Sequence, residues 1–215
     1  MTPSPRDGND GRDFSFGVVV LAAGRSGRMG QPKLLLPWQG RTVLSHLLAE
    51  WKKLGASQIV VVVARDAKAI HAELDRLGFP ARDRVENPAP DRGMFSSIQC
   101  AARWRGWKRG LTHWDITLGD QPHVRETTLR ALLDFAAANR DKVCQPMRKG
   151  HRRHPVMLPK CVFERLGDSA VHDLKEFLSA RPEELTGFEC DDTGLDLDLD
   201  TPEDYQRALQ LNPQA

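Results

Sequence analysis

Residues 18–37 read Val18-Val-Val-Leu-Ala-Ala-Gly-Arg-Ser-Gly-Arg-Met-Gly-Gln-Pro-Lys-Leu-Leu-Leu-Pro37. The apolar, β-branched run Val18 to Leu21 has the composition of a strand buried on both faces, and it stops at a small-residue, basic loop. Gly24, Gly27 and Gly30 allow positive φ and close approach of backbone N–H groups to an anion, while Arg25, Arg28 and Lys33 put three cations within nine residues. Singly these residues suit an ordinary solvated turn. Together with the resumed apolar run Leu34 to Leu36 they suit a polyphosphate such as a metal-bound nucleoside triphosphate. Leu34 after Lys33 excludes the Gly-x-x-x-x-Gly-Lys-Ser/Thr loop, and the spacing Gly24-x-x-Gly27-x-x-Gly30 is not the dinucleotide fingerprint.

Working outward, Thr42 to Leu54 repeats Leu44, Leu47, Leu48, Trp51 and Leu54 at helical spacing, with Thr42 as cap and Gly55 as stop. Ile59 to Val63 reads as a second buried strand, Asp66 to Leu77 as a helix and Arg84 to Glu86 as a short strand. Helices follow over Met94–Trp104, Thr127–Ala138 and Val171–Leu178, and strands over Trp114–Leu118, Lys142–Gln145 and Pro155–Leu158. Leu195 to Asp200 alternates like a strand before a helix capped by Thr201 with Pro202 at its first position. Strand–helix alternation with right-handed crossovers predicts an α/β fold on a parallel sheet.

At 215 residues the chain suits one domain, over 16–210, preceded by a disordered leader over 1–15 that is rich in Pro, Gly and Asp. A net charge of +2 gives no global field for nucleic acid. Cys100, Cys144, Cys161 and Cys190 form no Cys-x-x-Cys pair and read as buried free thiols rather than a zinc or redox site. The polar N-terminus lacks the apolar stretch of a secretory signal, and no run nears the roughly 18 apolar residues of a membrane span, so a cytoplasmic protein is expected.

Gly119-Asp120-Gln121-Pro122 follows a strand, which places Asp120 at the carboxyl edge of the sheet with the Gly-rich loop. There it suits either a turn or Mg²⁺, which takes one or two carboxylates beside phosphate oxygens. Asp196, Asp198 and Asp200 fall on one face of an extended segment, so one of them is a second candidate metal ligand, while Asp200 also suits the start of the following helix. Asn87-Pro88 and Gly93 to Ile98 form another glycine-to-helix junction, whose Ser96 and Ser97 suit either capping or a sugar, base or phosphate. The stretch Arg148, Lys149, His151, Arg152, Arg153 before His154 suits a second anionic ligand or a solvated loop.

With these motifs assembled, the chain resembles the molybdenum cofactor nucleotidyltransferases over Phe16 to Leu209. The resemblance rests on Leu21-Ala-Ala-Gly-x-Ser-x-Arg-Met-Gly-x-x-Lys33, Asn87-Pro88 with Gly93-Met-x-Ser-Ser-Ile98, Gly119-Asp-Gln-Pro122, His154-Pro-Val156 and Asp198-x-Asp-Thr-Pro-Glu-Asp-Tyr205. Where the guanylyl branch typically carries Leu-Ala-Gly-Gly, this chain has Leu21-Ala22-Ala23-Gly24, which resembles the cytidylyl form. The resemblance implies a Rossmann-like three-layer α/β/α nucleotidyltransferase fold of the glycosyltransferase A type, with one antiparallel strand in a mixed sheet. It implies transfer of CMP from CTP to molybdopterin with release of pyrophosphate. In that role Arg25, Arg28 and Lys33 neutralise phosphates, and Asp120 with Asp198 or Asp200 holds Mg²⁺ or Mn²⁺. Leu21, Ala22, Ala23, Gly24, Ser26, Asn87, Gly93 and Ser97 frame the nucleotide, and Gln121, Arg153 and His154 face the acceptor.

Two departures bear on the acceptor: Arg153 stands where the family usually has Gly, and Phe95 where a small residue is frequent. A molybdenum hydroxylase is the implied client. The rival expectations are a guanylyltransferase, another small-phosphate nucleotidyltransferase, an oxidoreductase with a nicotinamide or flavin cofactor, and a cofactor-delivery chaperone without turnover.

Overall fold

A computed structural model describes residues 14–24 and 29–211. Its strands are β1 (Phe16–Ala22), β2 (Pro37–Trp38), β3 (Arg41–Thr42), β4 (Gln58–Ala64), β5 (Arg84–Asn87), β6 (His113–Leu118), β7 (Val143–Arg148), β8 (His151–Arg152), β9 (Val156–Pro159) and β10 (Leu185–Glu189). The helices are α1 (Val43–Lys53), α2 (Lys68–Arg76), α3 (Met94–Arg103), α4 (Glu126–Ala138), α5 (Lys160–Gly167), α6 (Leu174–Ser179) and α7 (Pro202–Leu211). The main sheet runs β10-β7-β9-β6-β1-β4-β5, with β8 paired to β7. Neighbours are parallel except at β9, antiparallel to both β6 and β7, and at the short β7–β8 ribbon. This is the α/β sheet that the alternation predicts, with an antiparallel strand as the family resemblance implies.

Strand β1 lies between β4 and β6, and its alternation feeds two cores. Val18 and Val20 pack with Leu44, Trp51, Leu74 and Leu132 under α1, α2 and α4, and Val19 packs with Ile98, Phe163 and Phe177 under α3, α5 and α6. Both faces are covered, which is why the strand is apolar without polar alternation. The chain leaves β1 toward β4 and β5 and returns on the other side as β6, so the carboxyl ends of β1 and β6 flank a topological switch point, where open sheets bind ligands.

Several boundaries differ from the sequence reading. Residues 160–167 form α5, unforeseen although Val162, Phe163 and Leu166 fall on one buried helical face. Strand β10 was also unforeseen; its residues are half-buried up to the exposed Glu189, and among the described residues it pairs on one side only, parallel to β7. Thr193–Asp196 is a 3₁₀ turn rather than the start of a strand, so the alternation of Asp196, Asp198 and Asp200 does not place them on one face. Asp192 closes that turn by accepting from Gly194 N. Of the cysteines only Cys144 is buried, and Cys161 is exposed. Residues 1–13 lie outside the described residues, but Phe14 and Ser15, read above with the leader, pack onto the sheet. The Phe14 ring lies tilted against that of His113, with centroids 4.7 Å apart, and Ser15 N donates to Thr112 Oγ1. No helix among the described residues is long and apolar enough to cross a membrane.

Candidate active site

The end of β1 continues as Ala23 and Gly24, and a 3₁₀ turn over Lys33–Leu35 buries Leu34 and turns Lys33 inward. Gly119, directly after β6, fits because it lacks a side chain: a Cβ there would lie 2.7 Å from the Leu21 carbonyl oxygen and 2.9 Å from Leu34 Cδ2. That close approach carries Asp120 beside Lys33. The segment leading to α7 joins them through Leu199 N, which donates to the Asp120 carbonyl at 3.1 Å. Lys33 Nζ then lies 3.3 Å from Asp120 Oδ2 and 2.6 Å from Asp200 Oδ1, bringing together residues 87 and 167 positions apart.

These groups open into a cavity of about 540 Å³. Leu21, Ala22, Ala23 and Gly24 form one wall, Gly93 and Ser97 another, and Asp120, Asp198 and Asp200 the base with Lys33. The sequence reading missed Pro90, Met94 and Gly119, which also line it. Gly119 was open to discovery as the glycine before Asp120 at a strand end. Arg25, Ser26 and Arg28 lie outside the described residues.

Asn87 is buried at 1% exposure, and its Nδ2 donates to Ser96 Oγ at 2.8 Å and Ser97 Oγ at 2.9 Å, while its Oδ1 accepts from Ala89 N. It therefore shapes the junction rather than lining the cavity. Gly93, at φ 87°, caps α3 with no side-chain acceptor on the first helical N–H groups. Gln121 donates from Nε2 to Asp198 Oδ1 at 2.8 Å and lines neither this cavity nor the one bordered by Arg153 and His154. Asp196 sits apart from Asp198 and Asp200, gripped by Arg148 and Arg153 at 2.7 Å each. Arg153 and His154 border a second cavity of about 660 Å³, and Met94, 45% exposed, lines both cavities.

Electrostatics distinguish the acids. Burial, then the neighbouring Asp198, raises the Asp120 carboxyl above its ordinary range, and Lys33 offsets part of that rise. Burial also tends to raise Asp196, but hydrogen bonds from Arg153 and Arg148 bring it below its ordinary value. Burial lowers the His154 pKa, against a bond to the Ile116 carbonyl and the field of Asp198. Behind the Asp120 loop, His46 is lowered to about 4 by burial and by Arg41, against a bond to the Pro122 backbone.

The carboxylates fit a phosphate-bound divalent ion better than an all-protein metal cage. Among the described residues no group of three or more His, Cys, Asp or Glu has the arrangement to hold a metal. Lys33 shows instead that Asp120 and Asp200 converge on one cation, and two carboxylates with open space beside them are what Mg²⁺ takes alongside phosphate oxygens.

A family model described as MobA-like NTP transferase domain matches residues 18–185. The molybdenum cofactor cytidylyltransferase of Escherichia coli (strain K12) is 24% identical over 194 residues, covering 89% of this chain and 94% of its own length. The nicotine blue oxidoreductase of Paenarthrobacter nicotinovorans is 28% identical over 200 residues, covering 89% and 95%. Among solved structures, Rv0371c of Mycobacterium tuberculosis H37Rv superposes with a TM-score of 0.72 at 27% identity, covering 91% of this chain and 98% of that one. A complex of the same protein with manganese superposes with a TM-score of 0.63 over the same shares.

Proposed function

The chain belongs to the MobA-like NTP transferase domain family and is a nucleotidyltransferase, and within that family we propose that it transfers CMP from CTP to the phosphate of molybdopterin. The observation that carries the proposal is the meeting of Lys33, Asp120 and Asp200 at the base of a cavity walled by Ala22 to Gly24. The Ala22-Ala23 pair, where the guanylyl branch typically has Ala-Gly, supports cytosine over guanine, as does the Escherichia coli relative.

In this reading an oxygen of the acceptor phosphate attacks the α-phosphorus of CTP, and the bond from that phosphorus to the β-phosphate bridging oxygen breaks. Pyrophosphate leaves with the electron pair, and nothing is oxidised or reduced. The nucleophile is already ionised at neutral pH, so the chain need only position the reactants and offset charge. Asp120 with Asp198 or Asp200 would hold Mg²⁺ or Mn²⁺, whose bound form neutralises phosphate charge. Lys33, with Arg25 and Arg28 from the Gly-rich loop, stabilises the triphosphate and the departing pyrophosphate. Gly93 and Ser97 frame the nucleotide, with Asn87 fixing Ser97. The acceptor lies across Met94 toward Arg153 and His154. A cytoplasmic location and a molybdenum hydroxylase client belong to the same reading.

The test is pyrophosphate release from CTP, GTP, ATP and UTP with purified molybdopterin and Mg²⁺. Preference for CTP, with release dependent on molybdopterin, is expected; release with GTP alone, or independent of the pterin, overturns the assignment. The oxidoreductase relative, at slightly higher identity, favours a second reading as a redox enzyme. That reading requires consumption of a reduced nicotinamide or the absorbance of a bound flavin.

A further inference from the structure

The cation between Asp120 and Asp200 is a side chain of the protein itself. Lys33 Nζ takes both carboxylates, at 3.3 and 2.6 Å, and the side chain is only 14% exposed. It is held there from both ends: the Lys33–Leu35 turn, with Leu34 buried, fixes the root of the side chain, and the glycine at 119 lets Asp120 close onto it. Charge explains the arrangement. Asp120, Asp198 and Asp200 line one cavity, and without a cation between them their carboxylates repel.

The same two carboxylates are those that the proposed function assigns to a divalent ion, and this inference rests on that reading. One pair of carboxylates does not serve an ammonium and a dication together, because the two cations repel at that separation and compete for the same oxygens. We infer that Lys33 is the resident counter-ion of the Asp120–Asp200 pair, displaced toward the triphosphate when the divalent ion binds. Lys33 thus acts in two places, on the acids before the substrates arrive and on the phosphates afterward. The exchange is purely ionic, with no bond made or broken. Its consequence is interdependence: an ion arriving alone must evict the ammonium with nothing to receive it, whereas a triphosphate supplies a new anionic partner, so nucleotide and metal each favour the binding of the other.

The experiment is Mn²⁺ binding without nucleotide, followed by the electron paramagnetic resonance signal of free Mn²⁺, on the whole chain and its Lys33→Met variant. Removing the resident cation should tighten Mn²⁺ binding by about tenfold or more, within the usual range of coupling between sites. Adding Asp120→Asn to Lys33→Met should abolish that gain. Far-UV circular dichroism checks folding; should Lys33→Met not fold, Lys33→Gln is expected to gain affinity and Lys33→Arg, which keeps the charge, is not. Equal, Asp120-dependent affinity in the wild type and the neutral variants would overturn this inference and leave the metal site standing. Absence of any Asp120-dependent Mn²⁺ binding would overturn the metal site as well.

Discussion

Gln121 Nε2 donates to Asp198 Oδ1 at 2.8 Å and so ties the loop after β6 to the segment that delivers Asp200. The two residues are 77 positions apart, and Asp198 lines the base of the site. Gln121→Ala leaves Asp198 free to turn toward Asp120. Supporting groups around a metal site are commonly worth about 10- to 100-fold in activity or metal affinity. A loss of that size in turnover, with a raised half-saturation for Mg²⁺ and an unchanged Tm, is expected from a metal titration of the variant.

Gly119→Ala should disturb both stability and function. The added methyl meets the Leu21 carbonyl at 2.7 Å, which is backbone and cannot swing away. Forcing such a contact typically costs about 1–3 kcal/mol. At about 2–4 °C per kcal/mol for a chain of this size, calorimetry should record a Tm lower by several degrees. Turnover should fall with it, because Asp120 is the next residue.

Asn87→Ala removes the donor shared by Ser96 and Ser97 and the acceptor for Ala89 N. Unsatisfied buried groups of this kind cost about 1–3 kcal/mol. Since Ser97 lines the cavity proposed to take the nucleotide, the KM for CTP should rise while the KM for the acceptor holds. Initial rates with each substrate varied in turn separate the two.

Asp115 should give stability a distinctive pH dependence. It is fully buried on β6; its Oδ1 accepts a hydrogen bond from Thr117, and among the described residues its Oδ2 has no hydrogen-bond partner. Burial raises its pKa from 3.8 to about 8, against the bond from Thr117. The folded protein therefore holds this proton more tightly than the unfolded chain. The stability this supplies is complete below the ordinary carboxylate pKa, declines above it, and is lost as pH rises through about 8. Asp115→Asn should flatten the fall in Tm between pH 5 and pH 9; an equal fall in both proteins would show that Asp115 is not its source.

Arg153→Gly restores the residue usual in the resembled family. Arg153 shares Asp196 with Arg148, so the pairing survives in part and stability should change by no more than about 1 kcal/mol. If Arg153 meets the acceptor, the acceptor KM rises and the CTP KM does not. Steady-state kinetics with both substrates decide it.

Much of this molecule follows from short stretches of sequence, because local patterns report local physics. Val18 to Leu21 and Ile59 to Val63 are apolar and β-branched, and both became central strands buried on two faces. Thr42 caps α1 as its position predicts, accepting from Ser45 N. Thr201 and Asp204 bond reciprocally at the start of α7. Strand β10 escaped notice because an edge strand of half-buried residues has no strong alternation; its place is set by β7 beside it.

The candidate site divides in the same way. That Lys33, Asp120 and Asp200 are chemically suited to one nucleotide was legible in residue types and in their positions after strands. Position after strands also put Asp120 on the sheet edge of the Gly-rich loop, but the contacts themselves depend on β1 and β6 lying side by side and on a glycine that lets their loops touch. Nor could alternation alone separate the three aspartates before α7. A 3₁₀ turn sends Asp196 to Arg148 and Arg153, Gln121 takes Asp198, and only Asp200 reaches Lys33 among the bonds described. Periodicity fixes which side of an element is buried, because that is a property of neighbouring residues. Partner choice between distant charges is decided by packing, which brings together groups that the chain itself keeps far apart.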